Sequence, residues 1–129
     1  MIDKNGTVNN FCDLEAWKKA NELTLMVYQC TKDFPKEEVF GLISQMRRAA
    51  SSIMANIAEG FARFHYKDKT RFYYFARGST AELQSFSMLS RELNYLDNNA
   101  CQNIIDKADE VGRLINGLIN SVKKISKPS

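Results

Sequence analysis

Basic side chains are concentrated in the stretch of the chain between residues 63 and 77, which also contains several tyrosine rings. Cations gathered in one place attract phosphate groups, and tyrosine rings can stack on unpaired bases. The alternative interpretation of the same charges is an ordinary solvated loop. On the first interpretation, the candidate RNA-binding residues are Arg63, Lys67, Lys69, Arg71 and Arg77.

A second group of residues has the composition of a buried interface between protein chains. Aromatic, methionine and arginine side chains recur at helical spacing between residues 73 and 95, and small residues line one face between residues 44 and 62. Aromatic, Met and Arg side chains are enriched in the cores of interfaces. RNA binding and ordinary surface are the alternatives for the face that carries tyrosine and arginine. The candidate oligomer-interface residues are Arg47, Arg48, Ser51, Ala55, Tyr73, Gln84, Met88, Arg91 and Tyr95.

The residues that commonly perform catalysis form no recognisable group. His65 is the sole histidine, and no serine or cysteine nucleophile motif lies beside it in the sequence. The glycines form neither a P-loop nor a dinucleotide-binding fingerprint. The three cysteines lack the C-x-x-C spacing of zinc sites, so we expect them to be reduced thiols. We therefore predict no catalytic residue, no metal site and no cofactor, and we expect that the protein is not an enzyme.

The elements that must position these residues are helices. Apolar residues recur at helical spacing in four blocks, at about residues 14–34, 42–62, 68–97 and 104–125, with polar breaks between them. Asp13 precedes the first block and is its predicted N-cap. The sequence therefore predicts four helices.

The third block is predicted to turn its large apolar residues towards the core. The residues assigned to that core stripe are Phe72, Phe75, Ser79, Leu83, Phe86, Leu89 and Leu93. The residues assigned to the face away from the core are Tyr73, Arg77, Gln84, Met88, Arg91 and Tyr95. This division depends on hydropathy alone.

Helices of similar length with short connections predict an all-α, antiparallel, up-down-up-down four-helix bundle. We expect a flexible N-terminal arm at residues 1–12, the bundle domain at residues 13–125 and a C-terminal tail at residues 126–129. No apolar run approaches the roughly 20 residues that span a bilayer, and no secretory signal is visible. The expected location is therefore the cytoplasm, with no membrane partner.

Three stretches of the sequence resemble a known family. Residues 34–63, FPKEEVFGLISQMRRAASSIMANIAEGFAR, look like its main signature, and residues 78–83, GSTAEL, look like its second one. Residues 11–23, FCDLEAWKKANEL, resemble its usual first helix. The similarity covers about residues 11–123. On these motifs the chain is similar to the four-helix-bundle proteins of the 23S ribosomal RNA intervening-sequence protein family.

This resemblance implies a bundle that assembles into a ring-shaped homopentamer, often encoded within intervening sequences of bacterial ribosomal RNA genes. The accessory variability protein of diversity-generating retroelements resembles the same bundle, and works with a reverse transcriptase and RNA through a basic surface. The partners that the resemblance implies are therefore further copies of the chain, RNA, and a reverse transcriptase or other protein.

The matching positions include two arginines, Arg47 and Arg48, which lie beside the predicted core stripe. We expect them to pair with carboxylates of a neighbouring helix, such as Glu82 or Glu92. Glu59 and Arg63 have the i,i+4 spacing of an ion pair within one helix, and a polar seam between helices is the alternative for this stripe.

Two functional hypotheses follow from these residues. The first is an oligomeric, non-enzymatic accessory protein that binds RNA or an RNA–protein complex through a basic surface. The second is a protein-binding scaffold with no role in nucleic-acid binding.

Overall fold

A computed structural model of the protein describes residues 9–126. Within these residues every regular element is helical and no strand is present. The elements are a 3₁₀ helix at Phe11–Asp13, α1 at Glu15–Thr31, a second 3₁₀ helix at Lys36–Glu38, α2 at Leu42–Ala62, α3 at Tyr66–Glu92 and α4 at Asn98–Ser126. The prediction of an all-α protein with four helices is confirmed. Residues 1–8 of the predicted arm and 127–129 of the predicted tail lie outside the described residues.

The four helices surround one hydrophobic core. Each helix packs against the next one along the chain, and α1 also packs against α4. Burial of one large aliphatic side chain contributes about 1.5–3 kcal/mol to stability. The largest apolar side chains with no exposed surface include Leu23, Met46, Ile53, Ile57, Leu83, Ile104 and Ile115. None of the helices within residues 9–126 combines the length and the apolar character needed to cross a membrane.

The start of α1 differs from the prediction. The Asn10 side chain accepts a hydrogen bond from the backbone N–H of Cys12 at 3.2 Å and begins a 3₁₀ turn. Asp13 is the last residue of that turn, and Leu14 occupies the N-cap position of α1 without a side-chain hydrogen bond. The predicted N-cap is therefore wrong, because an extra turn before the helix already contains Asp13.

The connection between α3 and α4 follows from local turn chemistry. Asn94 has a φ angle of 62°, in the left-handed region that asparagine tolerates better than most residues. The N–H of Tyr95 then donates to the carbonyl of Ser90 at 2.8 Å, which closes the end of α3. Asp97 accepts from the N–H of Ala100 at 2.7 Å and caps the start of α4.

The predicted core stripes of α2 and α4 are largely confirmed. On α2, residues from Leu42 to Ile57 at the predicted positions are buried, and Phe61 is partly exposed. On α4, the stripe is buried from Ile104 as far as Val122, except that Ile119 takes the place of Leu118. Helical periodicity therefore locates the core face where large aliphatic residues mark it.

The predicted core stripe of α3 is wrong at most of its positions, although Leu83 is buried and Phe86 packs against the core. Phe75, Leu89 and Leu93 are exposed to 52%, 46% and 45%, so three of the residues assigned to the core lie at the surface. The residues of α3 that are buried are Tyr73, Ala76, Thr80, Leu83, Ser87 and Ser90. Most of them lie one position later in the chain than the predicted residues.

The physical reason is the small size of the side chains that α3 places in the core. Short side chains such as Ala76 allow neighbouring helix backbones to approach closely, whereas a stripe of phenylalanines would hold them apart. The hydroxyls that this arrangement buries are satisfied locally. Ser87 donates to the carbonyl of Leu83 and Ser90 to that of Phe86, both at 2.8 Å. The volume of the side chains, more than their hydropathy, therefore decides which residues of α3 are buried.

Candidate nucleic-acid interface

The turn between α2 and α3 is held together by Lys69. Its Nζ atom donates to the carbonyl oxygen of Phe61 at 2.7 Å and lies 3.4 Å from that of Gly60, so it occupies the C-terminal end of α2. A cation at a helix C-terminus is favourable because unpaired carbonyls carry partial negative charge there. Burial lowers the pKa of Lys69. This candidate RNA-binding residue is therefore engaged with its own chain.

Two other candidates flank one aromatic ring. The guanidinium carbons of Arg63 and Arg71 lie 4.7 and 5.1 Å from the ring centroid of Phe72. Arg63 also pairs with Glu59 at 2.6 Å, which confirms the predicted ion pair within α2. Arg71 has a looser pair, 3.9 Å from Asp68 on the same helix.

A second ring gathers cations from two different helices. The guanidinium carbon of Arg77 on α3 lies 4.7 Å from the ring centroid of Tyr74, and Nζ of Lys123 on α4 lies 5.4 Å from it. Hydrogen bonding to Lys123 lowers the pKa of Tyr74, and the charges of Lys123 and Arg77 act in the same direction. Arg77 also donates to the side-chain oxygen of Asn116 at 2.9 Å, which fixes its position against α4.

These contacts form a surface that we call the basic face. We define it by the residues Arg63, Lys67, Arg71, Arg77 and Lys123. Lys67, Arg77 and Lys123 form no ion pair with any carboxylate within residues 9–126. Their charge is therefore available to an external anion.

The basic face contains a groove between the start of α3 and the end of α4. Its volume is about 440 Å³. The residues that line it are Tyr66, Lys67, Thr70, Arg71, Tyr74, Phe75, Lys123 and Ser126. Among residues 9–126 this lining contains aromatic rings, cations and hydroxyls but no carboxylate, so the groove combines apolar contact area with positive charge.

Two candidate interface residues make contacts within the chain. Arg47 donates to the hydroxyl of Thr31 at 2.9 Å and lies over the ring of Tyr28, 4.5 Å from its centroid. Arg48 pairs with Glu82 on α3 at 3.0 Å, so the predicted pairing of these arginines with that neighbouring carboxylate is confirmed for Arg48. Arg47 instead binds α1.

The polar stripe of α2 also forms a seam with α3. The hydroxyls of Ser52 and Ser79 lie 3.0 Å apart, and Asn56 donates to the Ser52 hydroxyl at 3.0 Å. Both interpretations of the stripe therefore apply. Its Glu59–Arg63 end pairs within the helix, and its Ser52 end connects two helices.

One candidate interface residue is misplaced. The sequence pattern assigns Tyr73 to the outer face of α3, but only 3% of it is exposed and it belongs to the core of its own chain. The reason is the displacement of the buried stripe on α3, which turns Tyr73 inwards against Gly60. Tyr73 is therefore not available to a second chain.

The other candidate interface residues lie in different surroundings. Gln84 donates to Asp109 on α4 at 2.8 Å, and Tyr95 donates to Glu38 at 3.1 Å. Ser51 donates to the carbonyl of Arg47 within α2 at 2.8 Å. Ala55 and Met88 are exposed, while Arg91 is partly exposed and contacts Glu92 at 3.3 Å.

Arg47, Arg48 and Ser51 share a second groove with the end of α1. Its volume is about 710 Å³, and its lining includes Tyr28 and Val39, with no residue in common with the groove of the basic face. The structure therefore separates the candidate interface residues of α2 from the candidate RNA-binding residues.

The comparison with known families concerns most of the chain. Residues 12–117 match the family model described as "23S rRNA-intervening sequence protein". The chain belongs to the 23S rRNA-intervening sequence protein family. The match covers nearly all of α1 to α4 and stops within α4, before Lys123.

A solved structure from Bacteroides thetaiotaomicron shows the same fold. It is described as a protein with unknown function from the S23 ribosomal protein family, and the two chains superpose with a TM-score of 0.72 at 20% sequence identity. The similarity covers 81% of this chain and 97% of the other. No curated protein sequence matches the chain.

The groove of the basic face is lined in part by residues that the sequence pattern did not assign to RNA binding. Tyr74 could have been found, because its i,i+3 spacing to Arg77 places both on one side of a helix. Lys123 carries no such signal, since it is far from Tyr74 in sequence and its position depends on how α4 packs against α3.

Proposed function

We propose that this family member is a non-enzymatic accessory protein of the cytoplasm that binds RNA, alone or within an RNA–protein complex, through the basic face. The observation that carries the proposal is the convergence of Lys67, Arg71 and Lys123, from two helices, on one groove whose described lining contains aromatic rings and no carboxylate. The family's name, which refers to ribosomal RNA, is consistent with this function.

The chemistry of the basic face suits a phosphate backbone. Each cation that contacts a phosphate releases condensed counterions from the RNA, which favours binding at low salt. Exposed aromatic rings beside the cations add stacking surfaces for bases that are not paired. Both features occur together at the start of α3, where Tyr66 is 45% exposed and Phe75 is 52% exposed.

The proposed assembly is an antiparallel up-down-up-down bundle that forms a ring-shaped homo-oligomer, as in the homopentamers that the resemblance implies. The pairs Arg48–Glu82 and Ser52–Ser79 support antiparallel packing of α2 and α3. The later residue of α2 pairs with the earlier residue of α3, as happens when two helices run in opposite directions. Exposed apolar side chains such as Phe40, at 93%, support contact with another chain. A ring would repeat the basic face and increase its affinity for RNA.

A salt titration tests the function. We expect single-stranded RNA to bind the wild-type protein with an affinity that falls steeply as salt rises. A triple variant with Lys67→Gln, Arg71→Gln and Lys123→Gln should bind more weakly, with a salt slope reduced by roughly 0.7 for each phosphate that is no longer neutralised. The matched control changes Lys18, Lys36 and Arg113 to Gln, which removes the same number of cations outside the groove.

The outcomes separate the two functional hypotheses. If the control variant loses as much affinity as the triple variant, net charge and not the basic face binds the RNA. If the wild-type protein binds no RNA at low salt, the proposed function is wrong. The protein-binding scaffold is then favoured, because exposed apolar residues such as Leu25, at 63%, and Phe40 remain to be covered.

A further inference from the structure

The groove of the basic face has two kinds of wall, one aromatic and one positively charged. The rings of Tyr66 and Phe75 offer flat apolar surface, each about half exposed. Lys67, Arg71 and Lys123 supply positive charge at the same groove. Its volume of about 440 Å³ lies within the usual range of small-molecule pockets, roughly 300–1,000 Å³.

We propose that this groove binds one unpaired nucleotide of an RNA chain, with its base against Phe75 and Tyr66 and its phosphate beside Lys67, Arg71 and Lys123. The inference rests on the proposed RNA-binding function and adds which part of an RNA is recognised. A planar ring attached to a phosphate matches a groove that has aromatic walls and cations and, in the described part of the chain, no carboxylate.

Tyr74 acts in this site as a positioning residue. Arg77 and Lys123 both lie against its ring, so the ring keeps the two cations near the groove. Lys123 has no carboxylate partner within residues 9–126 that would draw its ammonium away. We therefore place the base against Phe75 and Tyr66, while Tyr74 positions the cations of Arg77 and Lys123.

The half-exposed rings of the groove also define the kind of RNA. In a duplex, bases are stacked on their neighbours and expose only their edges, whereas bases in loops and single strands can turn outwards and stack on aromatic side chains. A groove of this kind accepts a base only after it has left the stack. We therefore expect preference for single strands and loops over continuous duplex.

The experiment uses the full-length protein and a short single-stranded RNA that carries one 2-aminopurine, a fluorescent base whose emission is quenched by stacking. A blunt RNA duplex of the same sequence is the competitor. The Phe75→Ala variant removes the proposed stacking wall, and Phe64→Ala is its control, because Phe64 is 88% exposed and does not line the groove. Lys123→Gln is compared with Lys124→Gln, the adjacent lysine that does not line the groove.

We expect wild-type protein to quench the 2-aminopurine and to bind the single strand in preference to the duplex. Phe75→Ala should abolish the quenching and weaken single-strand binding about tenfold, a factor typical of the removal of one stacking ring. Affinity for the duplex should change less than twofold. Phe64→Ala and Lys124→Gln should behave as wild type, while Lys123→Gln should weaken binding with the quenching largely kept.

Two results would overturn the inference in different ways. If Phe75→Ala binds and quenches like wild type while the triple variant of the basic face loses affinity, RNA binds there without a nucleotide in the groove, and the proposed function remains. If wild-type protein binds neither RNA, both proposals are wrong. A Phe75→Leu variant, which keeps an apolar side chain, serves if Phe75→Ala is unstable, and it should also lose the quenching.

Discussion

The ring of Tyr73 lies directly against the backbone of Gly60, so that a Cβ atom on Gly60 would be 2.7 Å from Cε1 of the ring. Real Cβ atoms do not approach carbon atoms so closely, and the contact therefore requires glycine at residue 60. It brings the last turn of α2 onto the first turns of α3. The turn between these helices, which carries the basic face, is positioned by this contact.

Replacement of Gly60 by alanine should destabilise the protein. The added methyl group would overlap the Tyr73 ring and approach the carbonyl oxygen of Lys69 at 3.2 Å, and overpacking of this kind costs about 1–3 kcal/mol. Gly117→Ala is the matched control, since, apart from the adjacent backbone of α4, no atom of the described residues lies within 4 Å of its Cβ position. It should stabilise the protein by up to about 1 kcal/mol. Urea unfolding measures the free energy of unfolding of both variants, and equal changes in the two would contradict the proposed overlap.

The stability of the protein should decrease at alkaline pH because of Tyr73. Burial raises the pKa of Tyr73 to about 12, above the ordinary value near 10. The stabilisation is complete below pH 10 and is lost as pH rises from 10 towards 12, because the unfolded chain then releases a proton that the folded chain retains. The free energy of unfolding should fall by up to about 2 kcal/mol over this range. Tyr73→Phe should lack this part of the decrease, and parallel pH profiles for the two proteins would contradict the assignment.

Replacement of Lys67 and replacement of Lys69 should have different effects on stability and RNA binding, although the two residues are only two positions apart. Lys69 donates to the carbonyl oxygen of Phe61, so Lys69→Gln should lower the free energy of unfolding by about 0.5–1.5 kcal/mol. Lys67 lines the groove without a carboxylate partner in the described part of the chain, so Lys67→Gln should leave stability unchanged and reduce the salt dependence of RNA binding. Urea unfolding and the salt titration of RNA binding, made on both variants, test this separation of a structural lysine from an RNA-binding lysine. A larger loss of RNA affinity for Lys69→Gln than for Lys67→Gln would contradict it.

The ion pair between Arg48 and Glu82 should contribute little to stability. Its atoms are 3.0 Å apart, but the side chains are 58% and 39% exposed, and pairs of this kind contribute about 0–1 kcal/mol. A double-mutant cycle with Arg48→Gln and Glu82→Gln measures the coupling. A coupling above about 2 kcal/mol would show that the pair is more buried in solution than in the single chain, as an oligomer interface would make it.

Local signals in the sequence were sufficient for the four helices but not for all of their ends. The third block was predicted to run to Asp97, whereas α3 ends at Glu92, the chain turns at Asn94, and Asp97 caps α4, which begins at Asn98. The family signature also lies within continuous stretches. A further difference is the extra 3₁₀ turn that displaced Asp13 from the N-cap, which begins at Asn10, a residue without a distinctive pattern around it.

The sequence by itself determined the helical class, the four helices, the family and the concentration of cations at the start of α3, because each is encoded by neighbouring residues. Tertiary structure decided which side of α3 is buried, since close packing selected small side chains such as Ala76 over the more apolar Phe75. It also decided that Lys123 joins Tyr74 and that Lys69 faces inwards. These are contacts between helices, and no period within one helix can specify the rotation and depth at which another packs against it.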